Sequence, residues 1–214
     1  MRVTQTKQVT VLGVIAVTVS VPSRAYSGIS VTISASWDTA AGPFDGVCYF
    51  GDGLSEIINT TTKSTSKAHI YATVGSYVVK VVVKDRNTGA QGEGTAPIQI
   101  TDKLSATLYP SPDTGDAPLP VSFSIGISGG YTPYSWTLDY GDGTSPGSGS
   151  SPGTNTHTYT KVGTFNATLT VTDALGATIA SRSKVMSGVT AITPLVSILA
   201  PLAVGAALIK VVGR

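Results

Sequence analysis

The chain has 214 residues, of which only 12% are Asp, Glu, Lys or Arg, about half the roughly 25% of an ordinary soluble domain. Thirty residues are Thr, 24 are Ser, Glu occurs only at Glu56 and Glu93, and the formal charge is +2, so strands and turns are favoured over helices and a basic nucleic-acid binder is excluded. One Cys and two His also exclude a disulfide framework and a Cys/His structural zinc site made by one chain.

At the N-terminus Arg2 and Lys7 precede an apolar run, Val9 to Val21, that resembles the core of a signal peptide. Its periodicity argues otherwise. Val9, Val11, Ile15, Val17, Val19 and Val21 alternate with Thr10, Thr18 and Ser20, which is the two-residue period of a strand. An uncleaved N-terminus is therefore expected, with Val17–Val21 forming the first strand of the first folded unit.

The chain then runs through one module twice. His69 to Asp85 aligns without a gap on His157 to Asp173 at an offset of 88, and Phe50-Gly51-Asp52-Gly53 aligns on Tyr140-Gly141-Asp142-Gly143 at an offset of 90. Within each copy, Tyr77, Val79, Val81 and Val83, and likewise Phe165, Ala167, Leu169 and Val171, fall on one face of a strand. Short alternating strands separated by Gly, Pro, Ser and Asp turns predict an antiparallel sandwich in each copy. In the Gly-Asp-Gly turns the glycines permit positive φ, and the carboxylates of Asp52 and Asp142 accept hydrogen bonds from backbone N–H groups. Tyr71 and Tyr159, before the turns at Gly75 and Gly163, suit corner positions, with the ring in the core and the hydroxyl tied to backbone.

The second copy, with Trp136-Thr-Leu-Asp-Tyr-Gly141-Asp142-Gly143, His157-Thr-Tyr159 and Val162-Gly163-Thr-Phe165, resembles the PKD domain family. The first copy departs from the pattern, with Gly46 where the second has Trp136 and Tyr49 where it has Asp139. The resemblance implies two tandem immunoglobulin-like β-sandwiches, a core place for Trp136, and a non-catalytic module of extracellular proteins that serves adhesion, spacing or assembly.

The candidate chemistry is sparse. His69 and His157 occupy equivalent places without a nucleophile motif or a zinc-type His-Glu pattern, which favours a structural role. Asp52 and Asp142 offer one carboxylate each, far short of a calcium loop, so turn capping is expected. Cys48 aligns with Leu138 and reads as a small buried hydrophobe. Asn59 and Asn166 begin glycosylation sequons. Tyr131 reads as a surface aromatic, and the Gly/Ser-rich stretch from Thr144 to Thr156 as a flexible or partner-ordered loop.

From Val189 to Ile209 the chain carries no charge, and Lys210 and Arg214 follow. Leu195, Val196, Ile198, Leu199, Leu202, Val204, Leu208 and Ile209 predict a membrane-spanning helix capped by those two basic residues, although Pro194 and Pro201 interrupt it. The expected organisation is all-β, with one sandwich over residues 1–101, a second over 102–187 and the hydrophobic helix over 188–214. The expected function is that of a non-enzymatic structural protein at the membrane-associated surface of a virion or a cell envelope. Its partners would be other copies of itself, other coat or envelope proteins, a lipid membrane and glycans, with no nucleic acid, cofactor or metal. The alternative is a membrane-tethered adhesin or carbohydrate-binding module.

Overall fold

A computed structural model describes residues 13–38 and 42–188. The expected C-terminal helix falls outside these residues except for Gly188, as do residues 1–12, which include the first four residues of the N-terminal run. Among the described residues every regular element is a strand, and no helix is long and apolar enough to cross a membrane.

The first sandwich is built from β1 (Val17–Ser20), β2 (Arg24–Tyr26), β3 (Ser30–Trp37), β4 (Phe44–Tyr49), β5 (Ser55–Thr60), β6 (Ser64–Ile70), β7 (Gly75–Asp85) and β8 (Gln91–Thr101). Its sheets are three-stranded, in the order β1-β3-β6, and five-stranded, in the order β2-β8-β7-β4-β5. The second sandwich repeats the plan with β9 (Ser105–Ser111), β10 (Thr114–Asp116), β11 (Leu119–Ser128), β12 (Ser135–Asp139), β13 (Gly147–Gly149), β14 (Gly153–Tyr159), β15 (Gly163–Thr172) and β16 (Thr178–Gly188). Here the orders are β9-β11-β14 and β10-β16-β15-β12-β13. The registers coincide as well: Gly46 pairs with Val83 as Trp136 does with Val171, and Cys48 with Val81 as Leu138 does with Leu169.

Alternation in the sequence becomes the two faces of each sheet. In β3, Val31, Ile33, Ala35 and Trp37 are buried while Thr32, Ser34 and Ser36 are exposed, so one side chain in two enters the core. Val79, Val81 and Val83 are fully buried in β7, and Ala167, Leu169 and Val171 in β15. The N-terminal run behaves as its periodicity predicts. Ile15 is buried and donates its N–H to the Gln91 carbonyl at 3.0 Å, and Val17 then pairs with Trp37 across the small sheet.

Two features differ from the expectations. In the first copy Gly46 of β4 stands where β12 has Trp136, and a Cβ there would fall 2.2 Å from the Val82 carbonyl oxygen; the first core instead carries its tryptophan on β3, where Trp37 is set edge-on to Phe44 at 5.3 Å. In the second copy the stretch from Thr144 to Thr156 is not a loop throughout, because it forms β13 and the start of β14. The pairing of β13 is made by backbone and needs no side-chain pattern. Gly149 lies opposite Trp136, where a Cβ would come within 2.4 Å of the ring, so the absence of a side chain lets the indole cover the strand and donate to the Ser151 carbonyl at 2.8 Å.

Each sandwich holds one of the two tryptophans, so fluorescence separates their unfolding. Truncating the buried Ile33 by Ile33→Ala is expected to destabilise the first sandwich by about 2–4 kcal/mol. In a Trp136→Phe background the Trp37 transition should move to lower denaturant, while the Trp136 transition of an otherwise intact Trp37→Phe protein carrying Ile33→Ala stays in place.

Candidate functional site

The Gly-Asp-Gly turns and the histidines meet in space, once in each sandwich. The first Gly of each turn, Gly51 or Gly141, has φ of +90° or +79°, and a Cβ there would lie 2.7 Å from the Val78 carbonyl oxygen or 2.6 Å from that of Asn166. Glycine therefore lets the turn fold back onto the neighbouring strand. In that position Asp52 accepts the Leu54 N–H on Oδ1, and Asp142 accepts the N–H and hydroxyl of Thr144. The second carboxylate oxygen reaches the other sheet: His69 donates from Nε2 to Asp52 Oδ2 at 2.7 Å, and His157 to Asp142 Oδ2 at 2.8 Å.

The imidazoles are also held by their faces. His69 stacks on Phe50 with ring centroids 3.9 Å apart and meets Tyr71 edge-on, while His157 does the same with Tyr140 and Tyr159. Tyr71 and Tyr159 fulfil the corner role, each with a buried ring and a hydroxyl that donates to the carbonyl of Phe50 at 2.9 Å or of Tyr140 at 3.0 Å. Burial acts to raise the Asp52 carboxyl, but the bonds from His69 and the Leu54 N–H outweigh it and hold the group below its ordinary value. At Asp142 burial is likewise outweighed, by the Thr144 hydroxyl and His157. Burial pushes the Tyr71 hydroxyl up to about 12 and raises that of Tyr159 further. Such an arrangement braces two sheets; its polar atoms and ring faces are engaged with one another.

The remaining candidates are placed plainly. Cys48 is fully buried among the core side chains of the first sandwich. Trp136 is buried in the second core. Asn59 is exposed on the edge strand β5, and Asn166 is exposed within β15. Gly53 and Gly143 close their turns in the left-handed region, and Gly75 and Gly163 begin β7 and β15. Among the described residues no group of three or more His, Cys, Asp or Glu converges on a metal-sized site.

Tyr131 is not a surface aromatic. It is 9% exposed and lies in the joint between the sandwiches, where its hydroxyl points at the carbonyl oxygens of Gln99 at 2.6 Å and Ala25 at 3.0 Å, both in the first sandwich. Its backbone N–H donates to Asp173 Oδ2 at 2.9 Å, and the same oxygen accepts the Tyr26 hydroxyl, 147 residues away in sequence, at 2.5 Å. Arg24 sits 5.2 Å over the Tyr131 ring, within cation–π range. Gly129, at φ +63°, carries the loop within 2.1 Å, measured to an added Cβ, of the Lys103 carbonyl in the linker, so only glycine lets Tyr131 reach the joint.

Asp173 thus serves two structures. Oδ1 closes its own turn through the N–H groups of Leu175 and Ala177, as Asp85 Oδ1 does through Asn87 and Thr88, whereas Oδ2 holds the preceding sandwich. Burial acts to raise its carboxyl, but the Tyr26 hydroxyl and the three N–H donors keep it below the ordinary value, while burial and the Asp173 carboxylate push Tyr26 up to about 12. Sequence reading missed Tyr26 and Asp173 as a pair because the contact crosses between the copies and has no internal repeat to announce it.

With this geometry in view, the match of residues 105–184 to the model of the PKD domain family acquires its physical content. The second sandwich belongs to the PKD domain family. The first repeats its sheet order, its Gly-Asp-Gly turn and its His–Asp bond. Similar solved structures include fibronectin(III)-like modules of Clostridium thermocellum CbhA, at 17% identity over 80% of this chain and 94% of that one, with a TM-score of 0.40. Three N-terminal domains of the bacteriophage RB49 Highly Immunogenic Outer Capsid protein match at 17% identity over 82% and 70%, with a TM-score of 0.43. The ectodomain of mouse nectin-like molecule 4 matches at 11% identity over 82% and 65%, with a TM-score of 0.42. No curated protein matches the chain.

Two outcomes follow from the braces and the joint. Because the folded carboxyls of Asp52 and Asp142 lie below their unfolded values, their contribution is present above pH about 4 and is lost as pH falls through the lowered folded values. Asp142→Asn keeps a turn acceptor but removes the charge facing His157; it should cost about 1–2 kcal/mol at neutral pH and flatten the acid-side decline of the second sandwich in pH-dependent denaturant titrations. Tyr26→Phe should leave both sandwiches folded but free their relative orientation, read as reduced and mutually inconsistent alignment tensors in residual dipolar couplings.

Proposed function

We propose that the protein is a non-catalytic structural element of a surface assembly, a virion coat or a cell-envelope layer, in which two PKD-type sandwiches act as one stiff spacer. The observation that carries this reading is the joint at Asp173, which spends buried polar groups on fixing one sandwich against the next. A protein whose domains worked independently would gain nothing from that ordering, since inter-domain motion is the default where the interface is small. Thr and Ser make up 54 of the 214 residues against 26 charged ones, and among the described residues Lys67–Glu56, Lys80–Glu93 and Arg86–Asp45 neutralise one another in pairs. Such surfaces approach one another with little long-range repulsion.

In this reading the apolar segment Val189–Ile209 anchors the spacer in lipid, with Lys210 and Arg214 at the far interface. The carbohydrate-binding alternative is weakened by the position of Tyr131, whose ring and hydroxyl are engaged in the joint. The anchor is tested by flotation on lipid vesicles. The full chain is expected to float with the vesicles and a form lacking residues 189–214 to stay in the dense fraction; equal flotation of both would remove the anchor from the reading.

A further inference from the structure

The two glycosylation sequons stand in different surroundings. Asn59-Thr60-Thr61 closes β5, the edge strand of its sheet, where the chain enters the turn to β6. Asn166-Ala167-Thr168 lies inside β15, with Asn166 opposite Lys184 of β16 on one side and the Gly141 turn on the other, where an added Cβ would fall 2.6 Å from the Asn166 carbonyl oxygen. Backbone at a free edge beside a turn is available to a modifying enzyme even in the folded protein, and backbone held on both sides is not.

The surface beside Asn59 is unusual for this chain. Ile58 is 1% exposed and enters the core, so Asn59 and Ile57 both point outward, about 7 Å apart along the strand. Ile57 lies opposite Val47, and Val47 opposite Val82, with Tyr49 next along β4. Ile57 is 76% exposed and Tyr49 45%. The second sandwich has Ser148, Thr137, Thr170 and Asp139 at the same four places, so the fold itself does not call for apolar groups there. A shallow depression lined by Asp45, Val47, Tyr49 and Val82 runs into this row from Asp45, the cross-strand partner of Asn59.

We infer that Asn59 carries an N-linked oligosaccharide whose first sugars lie over this row, and that Asn166 carries none. A pyranose ring has hydroxyls around its rim and C–H groups on its faces, so a face packs on apolar side chains while the rim stays hydrated. The row crosses three strands, about 10 Å, the reach of two linked rings. A patch this small is too little for a stable protein partner, but a covalent tether holds the sugar there at high effective concentration. Charge does not select the occupant: Asp45 is paired with Arg86 and Glu93 with Lys80, and Lys84 leaves one positive charge in excess, which an uncharged sugar need not match. The modification is a displacement at the anomeric carbon of a lipid-phosphate-linked oligosaccharide, catalysed by a transferase. The C1–O bond to the phosphate breaks with its electron pair left on the phosphate oxygen, Nδ2 of Asn59 bonds to C1, and Nδ2 gives one proton to a base of the transferase. Such donors are used on the outer side of a membrane, so the inference rests on the surface setting proposed for the chain.

The test is peptide mapping by mass spectrometry of the full chain taken from its natural particle or membrane. Cleavage after Glu, Lys and Arg releases residues 57–63 and 162–182; the first peptide is expected to carry sugar mass on Asn59 and the second to be bare. A bare Asn59, or sugar on Asn166 instead, overturns the inference. Protease added to the intact particles or cells separates the two failures: sandwiches that are cut while Asn59 is bare leave the surface setting standing and remove only the glycan, whereas sandwiches that are protected remove both. Hydroxyl-radical footprinting reads the covering of the row. Labelling of Tyr49 is expected to rise at least threefold in Asn59→Gln and equally in Thr61→Ala, which keeps the asparagine but destroys the sequon, while Tyr109, 66% exposed on the second sandwich, is labelled alike in all three proteins. Equal labelling of Tyr49 in wild type and both variants overturns the placement of the sugar on the row.

Discussion

A β-sandwich must be closed across its two sheets, and in a chain with a single cysteine the closure cannot be covalent. Here it is the bond from a turn aspartate on one sheet to a histidine on the other, Asp52 to His69 and Asp142 to His157. Much of the local sequence follows from that bond. The glycine before each aspartate brings the turn against the neighbouring strand, the aromatic before it stacks on the imidazole, and the tyrosine two residues after the histidine stands edge-on to the ring and ties its hydroxyl back across the core. Motifs far apart in the sequence are thus one object in space. Charge-assisted hydrogen bonds are among the stronger polar contacts, and placing one against stacked rings at the margin of the core limits its exchange with water.

The fold was legible in the sequence wherever a side chain had to choose a face. The alternation in β7 and β15 and the entry strand at Val17 follow from the two-residue period, because an error of one residue would turn every apolar group outward, and the burial of Cys48 follows from its alignment with Leu138. The aspartate–histidine bond was only half legible: both partners recur in both copies, but they sit 17 and 15 residues apart on different sheets, and nothing local pairs them. The strand β13 was hidden because its Gly and Ser residues carry no pattern, and its pairing belongs to the backbone. Tyr131 was misplaced for another reason. A tyrosine following Gly129-Gly130 has the composition of an exposed loop, and only the preceding sandwich, with Ala25, Tyr26 and Gln99, converts it into a buried contact.

The joint shows how a repeat acquires a new task without new architecture. Asp85 and Asp173 end equivalent strands and close equivalent turns through Oδ1. At Asp173 the remaining oxygen lies where the first sandwich delivers the Tyr26 hydroxyl, so a turn residue becomes the link between domains. The corresponding strand of the second sandwich, β10, ends in Asp116 where β2 ends in Tyr26. The far end of the second sandwich therefore does not offer the tyrosine that the first one does, and a third module attached there in the same manner would lack the donor.

Low charge and divergence between the copies can be read together. Where the second sandwich keeps hydroxyls on its outward sheet, Thr137, Thr168 and Thr170, the first has Val47, Lys80 and Val82 at the corresponding register. Threonine and valine are near-isosteres with similar strand preference, so the exchange alters what the surface meets far more than how the strand folds. A hydroxyl face holds its hydration layer, while a valine face releases water on contact. Two copies of one module can thus share strand order and register while one outward sheet face is kept hydrated by hydroxyls and the other is more apolar, because the backbone pairing is indifferent to which of the two near-isosteres it carries.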